Sequence, residues 1–123
     1  MREFKSNINK FELRRVPTHI KRIKISQSRD AAEYAKMFMA DNIDVYESFH
    51  IILLNNANNT IGWAEISRGG LTATLVDIRL VAKYCLDSLA TSVILAHNHP
   101  SGTTRPSRSD LEITKKISNG LNL

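Results

Sequence analysis

One cysteine in 123 residues excludes an internal disulfide. That residue, Cys85 in "IRLVAKYCLDSL", stands where the pattern calls for an apolar side chain, so it reads as a buried thiol and not as a nucleophile. No apolar run approaches the roughly eighteen residues needed to span a bilayer, and the N-terminus lacks the apolar stretch of a signal peptide. A cytoplasmic, reducing location is therefore expected, with no membrane partner. Repeats and low-complexity tracts are also missing, which excludes solenoids and arrays. Aromatics make up only 7% of the chain, and just Phe4 and Phe11 accompany its basic N-terminal residues, too few to build a base-stacking platform.

What is present suits one globular domain: 42% hydrophobic and 24% charged residues over a length typical of a single core. A domain this size buries roughly two thirds of the surface its unfolded chain exposes, so it folds without a metal staple. Any metal it holds would serve function. The net charge of +5 is concentrated at one end. Residues 1–24 hold eight Lys or Arg against two Glu, for +6, and the remainder carries −1. Residues 1–20 are accordingly expected to form a basic, solvated arm, with at most weak contact to a nucleic-acid backbone.

Along the chain, "FELRRV" and "RIKIS" resemble strands separated by Pro17, and "SQSRDAAEYAKMFMAD" reads as a helix capped by Ser26 or Ser28. In "VYESFHIILLNN" the apolar run Ile51 to Leu54 predicts a strand buried on both faces at the centre of the sheet. After the polar turn "NNANNT", "IGWAEISRGGLTATLV" suggests strand, Gly-Gly turn and strand. Asp77 is placed to cap a helix whose Ile78, Val81, Ala82, Cys85, Leu86 and Leu89 repeat at helical spacing. "TSVILAH" is a short buried strand, and a third helix runs from Ser107 to near Gly120. The expected class is α/β: a single domain with a mixed β-sheet and flanking helices.

The chemistry concentrates in "ILAHNHPSGTTRPSRSD". Alternate side chains of an extended segment share a face, so His97 and His99 point together while Asn98 points away. Two imidazoles are half of a zinc site, and a catalytic zinc takes three protein ligands and leaves a fourth position open. Gly102 and the prolines at 100 and 106 let the loop turn back, so that Asp110 in the first turn of the third helix becomes the third ligand. Taken alone, "SRSD" is also a variant capping box, with Ser107 at its start. Although the residues read "HNH", that nuclease class spreads its three residues over a long finger-like motif. The zinc deaminase pattern fails too, because no Cys-x-x-Cys follows.

The spacing His97-x-His99, seven residues, Ser107, two residues, Asp110 resembles the JAMM motif of MPN-domain metalloproteases. The wider string "VILAHNHPSG…PS..D" is similar to the RadC-type branch, proteins often linked to DNA repair, over roughly residues 20 to 120. The resemblance implies a cytidine-deaminase-like fold for a domain spanning 21–123, and one Zn2+ held by His97, His99 and Asp110 with a water. It also implies a glutamate acid/base from an earlier strand. Glu47, which opens the central strand, matches that position best, with Glu65 in "WAEISRGG" as the competitor. Ser107 would donate to the developing oxyanion. RadC-type chains continue past the third helix with further strands, whereas this sequence stops at "SNGLNL", so an apolar sheet edge able to pair with another chain is expected.

These features predict a zinc-dependent metallopeptidase or isopeptidase with an unidentified protein or peptide substrate. The alternative is a non-catalytic scaffold that binds DNA or protein in a repair or mobile-element complex. A complete acid/base and ligand set favours the first, because a scaffold has no physical need for Glu47 or Ser107.

Overall fold

A computed structural model describes residues 8–69, 76–100 and 108–121, without the side chains of 108–110 and of Ile113. Its elements run α1 (Ser28–Met39), β1 (Ser48–Leu54), β2 (Thr60–Arg68), α2 (Ile78–Ser88), β3 (Ser92–His97) and α3 (Arg108–Leu121). The strands form one sheet in the order β2-β1-β3. Helices and strands interleave as the α/β class requires, but the sheet expected to be mixed is antiparallel in both described pairs. The second strand anticipated after the Gly-Gly turn falls on residues 71–76, of which all but Val76 lie outside the described residues.

β1 is the central strand because its run of apolar side chains has two faces to bury. All seven of its residues are buried, and side-chain alternation divides them between two clusters. Phe49, Ile51 and Leu53 pack with Val76, Val81 and Ile117 on the side of α2 and α3. Ile52 and Leu54 pack with Tyr34, Met39 and Ala96 on the side of α1. The sheet is thus sandwiched between one helix and two.

The N-terminal strands are not formed. "FELRRV" has no apolar face to bury, with Phe11 and Val16 both exposed, and β structure needs a half-buried surface to sit on. Within "RIKIS" only a bridge between Lys24 and Asn59 forms, fixed by Ile25 N–H to the Asn58 carbonyl (2.8 Å) and Thr60 N–H to that of Ile23 (2.9 Å). Neither Ser26 nor Ser28 caps α1. The Asp30 carboxylate instead reaches back to accept the N–H groups of Ser26 (2.9 Å) and Gln27 (3.2 Å), satisfying donors that a helix start leaves open.

Asp77 caps α2 as the pattern indicates, accepting the Arg79 N–H at 2.9 Å. The apolar stripe ends sooner than expected. Ile78, Val81 and Cys85 pack inward, joined by Tyr84, while Leu86 and Leu89 are exposed. Leu89 leaves the helix in the left-handed conformation (φ 57°), where its N–H closes onto the Cys85 and Leu86 carbonyls, so its side chain departs from the helical face.

Gly120 lies inside α3, one residue before its end. A Cβ there would stand 2.6 Å from Ile78 Cγ1, so this glycine lets α3 approach α2. Gly120→Ala gains about 1 kcal/mol of helix propensity but forces overpacking worth about 1–3 kcal/mol against a stiff β-branched side chain. Urea unfolding is expected to show a net loss of about 1 kcal/mol, and the same change made in an Ile78→Ala background should cost less. A stabilised single variant would show that the helices can move apart freely.

Candidate metal centre

Antiparallel pairing brings the start of β1 to the end of β3. Phe49 stands opposite His97, and the same register extended outward sets Ser48 opposite Asn98 and Glu47 opposite His99. By alternation, Glu47, Phe49, His97 and His99 share the face on which α2 and α3 pack. The result is a cluster in which one donor atom each from Glu47, His97 and His99 lies within 4.8 Å of the others. All three residues are half-buried, and the two imidazole rings are 4.6 Å apart between centroids. Two imidazoles and a carboxylate are donors that zinc accepts, so the residues present fit that ion.

Asp110 falls in the first turn of α3, whose later Ile117 packs beneath the same face; its side chain, like the whole of Ser107, lies outside what is described. The competitor Glu65 is placed elsewhere. It pairs with His50 across β1 and β2, on the face shared with Ala96, opposite the one that carries His97. There Arg68 holds it in a two-pronged ion pair, 2.9 Å at both contacts, and that guanidinium lies 4.9 Å over the Tyr46 ring. The hydrogen bonds from Arg68 lower the Glu65 pKa below its ordinary value, which suits a structural anion better than a proton carrier.

An open groove of about 1160 Å3 runs between α1 and β3 and ends at the two histidines; Ala31, Ala35, Met39 and Ile94 line it.

The chain matches the model of the RadC-like JAB domain over residues 25–123. It belongs to the RadC-like JAB domain family. Similar proteins include UPF0758 proteins of Flavobacterium johnsoniae, 45% identical over 94 residues (76% of this chain, 40% of the relative), and of Porphyromonas gingivalis, 38% identical over 106 residues (85% and 46%). Another, from Symbiobacterium thermophilum, is 42% identical over 105 residues (85% and 44%). The chain thus spans less than half the length of these relatives. Among the described residues of this RadC-like JAB domain, no helix is long and apolar enough to cross a membrane.

Two polar residues near the RadC-like site escape a motif search. Asn98, between the two histidines, is 7% exposed and tied to the segment that carries Glu47. A polar residue in the middle of His-x-His was the available signal, but its partners lie about fifty residues away in sequence. His50, 6% exposed, leaves its buried Nδ1 without a hydrogen-bond partner. Burial lowers its pKa from 6.5, against the opposing pull of Glu65 and with the support of Arg68. Below about pH 6.5 the unfolded chain then takes up a proton that the folded chain refuses, so stability falls as the pH drops. Urea midpoints between pH 7 and pH 5 are expected to fall less in His50→Leu than in the native sequence, and equal slopes would remove His50 as the cause.

Proposed function

We propose that this RadC-like JAB domain is a zinc-dependent hydrolase that cleaves an amide bond, peptide or isopeptide, in a protein or peptide substrate. The observation that carries this reading is the convergence of Glu47 with His97 and His99, whose donor atoms lie within 4.8 Å of one another. His97 and His99, with Asp110 from α3, would hold the ion. Zinc, when bound, lowers the pKa of a water ligand to roughly 7 and polarises a carbonyl. Glu47 takes up a proton on its carboxylate as the nucleophile forms, and returns it to the leaving amine nitrogen. The Ser107 hydroxyl donates to the oxygen of the tetrahedral intermediate. The groove, apolar along α1 and β3 and reaching the β3 end that carries His97 and His99, would accept the substrate chain.

Elemental analysis tests the ligand assignment before any substrate is known. Purified protein should carry about one zinc per chain and His97→Ala about none, since loss of one imidazole from a three-ligand set removes most of the binding energy. Equal zinc in both would overturn the site. Hydrolysis of a mixed peptide and isopeptide library by the native chain, silenced in His97→Ala, would establish the reaction class.

A further inference from the structure

We infer that Asn98 is a positioning residue that locks Glu47 in register with the two histidines; this rests on the acid/base role proposed for Glu47. Its side chain faces away from the metal cluster, and all four of its hydrogen-bonding positions are used. Nδ2 donates to the carbonyls of Ile43 (2.6 Å) and Tyr46 (2.9 Å). Oδ1 accepts from the Ser48 N–H (2.8 Å) and the Ser48 hydroxyl (3.1 Å). An amide offers two donors and an oxygen with two lone pairs, so none is left over. The partners also fix which way the amide points, because two carbonyls need donors and one N–H needs an acceptor.

The bonds to Tyr46 and Ser48 flank Glu47 on either side. Glu47 lies just before β1, opposite His99 when the β1–β3 register is extended outward. Its own carbonyl accepts the N–H of Gly69 at 2.7 Å, from the β2 side. Asn98 supplies the anchor from the β3 side. Because it sits between His97 and His99, any shift of the ligand-bearing strand end carries the Glu47 segment with it. A hydrophobic residue at this position would take away the partner of the buried Ser48 N–H and of the part-buried Ile43 and Tyr46 carbonyls. A displacement of only about 1 Å at a reacting group costs on the order of a hundredfold in rate, which gives such a direct tie of four hydrogen bonds a functional reason.

The test uses Co2+ as a paramagnetic probe on the full chain carrying 13C-labelled glutamate carboxyls, with the Glu47 signal assigned through Glu47→Gln. Asn98→Asp keeps the shape and the acceptor for Ser48 but turns an oxygen toward the Ile43 and Tyr46 carbonyls. Ser48→Ala, a milder change, removes only the hydroxyl bond and keeps the variant set informative if the first fails to fold. We expect Co2+ affinity to stay within about tenfold of native, while the cobalt-induced shift of the Glu47 carboxyl shrinks strongly in Asn98→Asp and partly in Ser48→Ala. Turnover should fall in the same order with KM held, as for a group that acts only in the transition state. An undiminished Glu47 shift in the folded variants would overturn the inference. So would loss of cobalt binding in them, which would assign Asn98 to the histidines instead. A native protein that binds cobalt through His97 and His99 but shows no effect on Glu47 would sink the acid/base reading itself, and the inference with it.

Discussion

Glu47→Gln is expected to retain its zinc and to lose about 10²- to 10⁴-fold in turnover, the range that a positioned general acid/base contributes. Glutamine keeps the length and the polar end of the side chain, so the half-buried pocket beside the imidazoles stays filled. What it cannot do is accept a proton. If His97, His99 and Asp110 hold the ion, the substitution leaves metal content near one per chain and moves kcat, with little change in KM. The control is Glu65→Gln. That residue lies on the opposite face of the sheet and engages Arg68, so turnover should stay close to native. Unchanged activity in Glu47→Gln would transfer the role elsewhere, and loss of zinc would make Glu47 a ligand first and a base second.

The two halves of this centre were unequally readable from the sequence, for a physical reason. His97 and His99 are two residues apart on one strand, so local alternation alone aligns them. Placing Glu47 beside them needs the register of an antiparallel pair closed across about fifty residues, through an intervening strand and helix. Period-two patterning says which face a residue takes, not which residue stands opposite, and Glu65 carries the same local credentials. Asn98 shows the same limit, since all of its partners are non-local.

Elsewhere the pattern held where burial was two-sided and failed where it was not. The run Ile51 to Leu54 identified the central strand because only a doubly covered strand tolerates four adjacent apolar residues. "FELRRV" had strand-forming residues without a surface to cover and formed no strand, with Phe11 and Val16 exposed. In α2, the helical period continued through Leu86 and Leu89, but Leu86 is exposed within the helix and the left-handed turn at Leu89 ended it before the last position. Gly120 was legible as a terminator and proved to be a point of contact with Ile78, one residue short of the end.

Ile51→Ala should be among the most damaging substitutions in the core, costing about 2–5 kcal/mol of a total that for such domains is about 5–15 kcal/mol. Ile51 is fully buried, pairs with Ala64 on one side and Leu95 on the other, and packs with Val81 and Ile117 from both helices of its face. No neighbour can fill the gap without pulling a strand out of register. Leu86→Ala, on the exposed outer side of α2, should change stability by no more than about 0.5 kcal/mol. Urea midpoints at constant slope would measure both, and similar costs would mean that the outer face of α2 is covered in solution. The core variant also links stability to the metal centre. The strand pair that Ile51 anchors brings Glu47, just before β1, and His97, at the end of β3, together at one end, and a ligand that binds only the folded state stabilises it by about 2.7 kcal/mol at a hundred times its Kd. Zinc should therefore restore much of what Ile51→Ala loses, and should restore nothing once His97→Ala is added to the same chain. Equal recovery with and without His97 would place the stabilising ion somewhere other than the end of β3.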